Sequence, residues 1–68
     1  MQIVRERPEE GKFIAVWEFG DGIWSYAYRW KDGVLQRYET ESDIFSNQDK
    51  AIDDFPFNQE DLYYVVHP

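Results

Sequence analysis

The chain has no cysteine, a single histidine next to its C-terminal residue, and only seven basic residues against 14 acidic ones in a length of 68. Each shortage closes a route. Without cysteine there is no disulfide scaffold, no thiolate zinc site and no cysteine nucleophile, and this usage points to a cytoplasmic home. The scarcity of bases leaves a net charge of −7, which argues against direct binding to DNA or RNA, because phosphates would approach uncompensated carboxylates. Long apolar runs are missing too: none approaches the roughly 18 residues of a membrane span. Residues 1–10 are charged and lack the apolar core of a signal peptide. At this length one domain is expected over residues 1–68, burying only about 60% of the surface its unfolded chain exposes and leaving little room for a pocket.

What the chain does have is aromatic side chains: three Trp, five Tyr and five Phe. Each buries about 150–250 Å², so half of them supply most of a small core without disulfides or metal. The charge is segregated. Residues 1–38 hold six acids and six bases, whereas residues 39–61 hold Glu39, Glu41, Asp43, Asp49, Asp53, Asp54, Glu60 and Asp61 against Lys50 alone. The second stretch therefore carries the whole imbalance.

Two Asp-Gly steps, Asp21-Gly22 and Asp32-Gly33, stand between segments of high β propensity, a strong hairpin signal. They predict a three-stranded meander within residues 12–39, with strands at 13–19, 23–30 and 34–39. A short strand over residues 2–5 is expected before it, separated by Pro8 and Gly11. With Asp21-Gly22 as a two-residue turn, Phe19 faces Trp24, Trp17 faces Tyr26, Ala15 faces Tyr28 and Phe13 faces Trp30, which makes one face almost wholly aromatic. A three-residue turn of Gly20, Asp21 and Gly22 instead moves the aromatics of the second strand opposite Ile14, Val16 and Glu18.

The acidic part, residues 40–61, reads as helix and loop. Ser42 or Ser46 is placed to cap a short helix through Gln48, Asp49, Ala51, Ile52 and Asp54, which Pro56 ends; its acids suit the positive end of the helix dipole. Ile44, Phe45, Ile52 and Phe55 form its apolar side, and residues 58–61 form the next turn. Residues 62–67 read as a closing strand. The fold class expected is therefore α+β: a small antiparallel sheet, made of the meander, a C-terminal strand and an N-terminal strand, with one short helix.

Motifs for catalysis are absent. His67 sits at a terminus, where order is poorest and no triad can be held. The alternation of Glu39, Glu41 and Asp43 puts three carboxylates on one face if extended. No ligand spacing accompanies it, and a solvated edge strand accounts for it as well. Gly20, Asp21 and Gly22 lie between strands and form no phosphate loop, which would open a helix. Neither a metal, nor a cofactor, nor an enzymatic activity is expected.

Two function classes follow. In one, the chain is a small acidic protein-binding accessory module whose eight carboxylates meet a basic surface on a partner protein. In its sharpest form it is an inhibitor that mimics the charge of a nucleic acid and occupies a nucleic-acid-binding protein. In the other, the aromatic face of Trp17, Trp24, Tyr26, Tyr28 and Trp30 is the working surface, stacking on a sugar or base or closing a homodimer, although most of these side chains are needed as core. Three Trp and five Tyr exceed what one short helix covers, so a Tyr or Trp at a strand end is expected at the surface, where such residues anchor interfaces. In size and charge the chain resembles the small accessory proteins of phages and mobile elements, several of which inhibit by mimicking nucleic acid. The resemblance implies that class of function and carries over no residues.

Overall fold

The backbone reverses direction where glycine permits it. Asp32 and Gly33 both hold positive φ, 53° and 77°, the pattern of a type I′ turn, and Lys31 pairs with Val34 across them. At the first hairpin, Gly20 takes φ 61° while Asp21 stays at negative φ, as a type II′ turn requires of its first central residue. The computed structural model, which describes residues 1–47 and 55–66, contains six strands: β1 (Gln2–Val4), β2 (Lys12–Phe19), β3 (Gly22–Lys31), β4 (Val34–Glu39), β5 (Ile44–Asn47) and β6 (Tyr63–Val66). They form one antiparallel sheet in the order β1-β6-β2-β3-β4-β5. The closing strand thus lies between the N-terminal strand and the meander.

The first turn corrects the expected register. The loop is Gly20-Asp21 and Phe19 pairs with Gly22, so that Trp17 lies opposite Trp24, Ala15 opposite Tyr26 and Phe13 opposite Tyr28. Left-handed φ falls on Gly20, which has no Cβ to strain, and Asp21 is spared it. Each pairing is displaced by two residues from the one expected. Because side chains alternate with period two, the aromatic face survives the displacement while every neighbour on it changes.

That face is the core. Phe13, Ala15, Trp17, Tyr28, Leu35 and Tyr64 are buried, and their rings form one network. Phe13 stacks on Tyr28 with centroids 5.3 Å apart and meets Tyr64 edge-on at 5.6 Å, geometries that favour the ring quadrupoles. Phe57 caps Tyr28 at 5.2 Å, and Phe55 meets Trp17 edge-on at 5.2 Å. Between them lies Pro56, fully buried after a cis peptide bond. The N-terminal segment adds a brace: the Trp30 indole Nε1 donates to the Pro8 carbonyl at 2.8 Å, and the Arg7 guanidinium lies 5.0 Å from the Phe57 ring centre.

The α+β class is therefore wrong for what is described: all of it is strand and turn, and the fold is all-β. Residues expected to start the helix instead build β5. Phe45 and Ile44 pair with Tyr38 and Glu39 of β4, and their bulky or β-branched side chains suit a pleated surface. Ser46 is a strand residue whose hydroxyl donates to Glu39 at 2.8 Å, and it caps no helix among the described residues. Gln48, Asp49, Ala51, Ile52 and Asp54, the helix itself, lie outside the described residues, as does His67. The cover over the aromatic face, expected from Ile44, Phe45, Ile52, Phe55 and Phe57, is as expected only in part. Phe55 and Phe57 supply it, whereas Phe45 packs on the opposite face against Tyr38 and Ile44 is exposed.

Candidate functional site

β2 and β3 are longer than their neighbours, and this places the site. On one side, β6 pairs with β2 only as far as Val16. On the other, the ladder between β3 and β4 stops at Tyr28. Beyond those points the β2–β3 hairpin runs on as a two-stranded arm. Its end is apolar: Phe19 is 67% exposed, Ile23 70% and Trp24 57%. On the core side of the arm, Trp17, Phe19, Trp24, Tyr26 and Phe55 line an open cleft of about 250 Å³.

The cleft has a buried floor and an exposed wall. Trp17 is 3% exposed and is held at 5.3 Å by Tyr26 and at 5.2 Å by Phe55. Trp24 lies directly across the hairpin from Trp17, but its side chain makes no ring contact, hydrogen bond or cation contact among the described residues. Its indole leans over Gly22, with Nε1 3.5 Å from where a Cβ there would sit. A glycine within a strand often marks such a close approach.

Below the cleft, the face carries a polar cluster. Arg37 of β4 lays its guanidinium over Tyr26, with Cζ 4.6 Å from the ring centre, and its Nε donates to Glu39 at 3.2 Å. The Ser46 hydroxyl and the Arg37 guanidinium together hold the Glu39 carboxyl below the usual carboxylate range. Across the sheet, on the other face, Arg29 covers Phe45 at 3.7 Å. Stacking of an arginine on an aromatic ring of another strand, the adjacent one for Arg37 and the next but one for Arg29, is thus a repeated device of this sheet.

The expected acidic surface is only partly brought together. Asp49, Asp53 and Asp54 lie outside the described residues. Glu39 is engaged by Arg37 and Ser46, and Asp43 accepts from the Tyr38 hydroxyl. Glu41, Glu60 and Asp61 are exposed in turns. Residues 39–43 are no extended run, since β4 ends at Glu39 and the chain turns, with the Asp43 amide donating to the Glu39 carbonyl at 2.8 Å. No three acidic or histidine side chains converge as metal ligands among the described residues.

Of the five aromatic candidates, Trp17 and Tyr28 are core, Tyr26 and Trp30 are half-buried, and Trp24 alone is open. Phe19, Ile23 and Phe55 join it, none of them among the site candidates that the sequence suggests. A signal existed: the segment expected for the second strand, at eight residues, is longer than either flanking segment. No protein family, curated protein or solved structure matches this chain.

Proposed function

We propose that this protein is a small, non-catalytic protein-binding module that presents the end of its β2–β3 hairpin to a partner with a basic surface. The observation that carries this reading is the exposed Trp24, its side chain unpartnered among the described residues, beside Phe19 and Ile23 on an arm that projects past the rest of the sheet. Large aromatics at the centre of a contact supply most of the binding energy of protein interfaces. A tryptophan left in water on so small a domain forgoes burial that the fold could use. The net charge of −7 gives the partner its sign, because surplus carboxylates steer a cationic surface toward the arm and reject an anionic one.

The small-ligand reading is less well supported by the same geometry. About 250 Å³ lies below the roughly 300–1,000 Å³ of most ligand pockets. The side-chain groups able to hydrogen-bond in the lining are two indole N–H groups and one tyrosine hydroxyl, few for a sugar. A side chain of another protein suits the cleft better. The charge-mimic form of the proposal asks more, since it needs the carboxylates, and not the arm, to fill the partner's site.

Affinity capture from the source cell's lysate, run in parallel with the wild-type chain and with Trp24→Ala and Phe19→Ser variants, tests the reading. A basic protein retained by the wild type and lost from both variants is the expected result. Retention that both variants preserve while charge reversal at Glu41, Glu60 and Asp61 abolishes it would move the function from the arm to the acids.

A further inference from the structure

The arm has a second unused feature, its backbone edge. Phe19 and Gly22 close a two-residue hairpin and so exchange both ladder hydrogen bonds. Hydrogen-bonded pairs alternate along the strand, so Gly22, Trp24, Tyr26, Tyr28 and Trp30 turn their amides and carbonyls toward β2. The Trp30 amide, which donates to the Gly11 carbonyl at 2.9 Å, fits this phase. Ile23 and Ser25 therefore turn theirs the other way, to the side where β4 has already left the ladder. Neither has a backbone partner there among the described residues, and both are exposed. From Gly22 to Tyr28 the strand holds no charge and no proline. Natural sheets usually guard an open edge with one or the other, and an unguarded edge is a template for an added strand.

We infer that this edge accepts an extended, arginine-bearing segment of the basic partner, which adds as a strand beside Ile23 and Ser25 and lays an arginine over the Trp24 indole. The inference rests on the proposed function and specifies its contact. Main-chain bonds to the edge give affinity in this mode, and alternate side chains give specificity. The added strand takes up the line that β4 leaves after Arg37, and the sheet shows what an arginine on that line does: Arg37, opposite Tyr28, stacks over Tyr26, two residues nearer the tip. The same step further along reaches Trp24, an exposed indole that no cation covers among the described residues. Charge selects this occupant over a second copy of the chain. Asp21 stands in the turn at the tip, Glu39 ends β4 and Glu41 follows it, and two copies would each bring a net charge of −7.

Titration of the isotopically labelled full chain with blocked hexapeptides, followed by amide and indole NMR shifts, tests this. The probes are an alternating Val/Arg peptide, its Val/Glu counterpart, and two Val/Arg versions N-methylated on alternate amides in either phase. Val/Arg is expected to shift the Ile23 and Ser25 amides together with the Trp24 indole, Val/Glu to bind at least tenfold more weakly, and one N-methylated phase to lose binding while the other keeps it. Ser25→Pro, which removes an outward donor and none of the bonds to β2, is expected to weaken Val/Arg at least tenfold; its own amide spectrum reports whether it folds. Shifts of the Trp24 indole without the two amides, or indifference to both N-methylated phases, overturn strand addition. Protection of both amides in a chain that sediments as a dimer assigns the edge to a second copy and also overturns it. Wild-type capture lost in Trp24→Ala but kept in Ser25→Pro leaves the hairpin function standing while this inference falls.

Discussion

Trp17 and Trp24 face each other across one hairpin, yet burial gives them opposite work. Trp17 is enclosed by Tyr26 and Phe55, and Trp17→Ala is expected to cost about 3–5 kcal/mol, the usual loss for a buried large aromatic. Trp24→Ala touches nothing enclosed and is expected to change stability by no more than about 0.5 kcal/mol. Urea denaturation of both variants checks the contrast, and an equal loss would mean that Trp24 is a core residue. Glu39 carries the pH response of the polar cluster. Bonds from Ser46 and Arg37 favour its charged form, so its folded pKa lies below the unfolded one. The stability it contributes is present above the ordinary carboxylate pKa and is lost as pH falls through the depressed folded value. Glu39→Gln is expected to flatten that part of the acid limb of stability against pH, with no change near neutrality in which residue pairs with which.

At the scale of elements, the β2–β3 hairpin is set by Gly20. Gly20→Ala meets no atom within 4 Å but forces a side chain to φ 61°, and is expected to destabilise by about 1–2 kcal/mol. The same change at Gly22, where φ is not left-handed, puts a methyl group in ordinary contact with the Trp24 indole at 3.5 Å and is expected to cost less. Thermal unfolding of the two variants measures the order. This turn also shows how far the sequence could be read. Asp-Gly marked both hairpins, and alternation put Phe13, Trp17, Tyr26 and Tyr28 on one face correctly. Gly20-Asp21-Gly22 offers three ways to turn, however, and local propensity does not rank them without the packing of Trp24 on Gly22. β5 was hidden because its turn has no glycine, Asp43 taking the left-handed position, and because the serines at 42 and 46 imitate helix caps. The projecting arm follows from where neighbouring strands stop, which depends on pairing and not on any one strand's residues.

For the whole molecule, the account divides labour between an aromatic arm that binds and a surplus of carboxylates that steers. Association with the partner is therefore expected to weaken as ionic strength rises from about 0.01 M to 1 M, where screening shortens from roughly 30 Å to 3 Å. The loss should lie mainly in the association rate, measured by stopped flow. Trp24→Ala should instead speed dissociation. The central claim, that the hairpin end is the contact surface, is tested most directly by photo-crosslinking. A photoreactive side chain at Ile23, at the exposed tip, is compared with one at Asp32, in the turn at the opposite end of β3. The account expects adducts with a basic protein from position 23 that disappear in a Trp24→Ala background. Adducts forming equally from position 32, or persisting without Trp24, would contradict it.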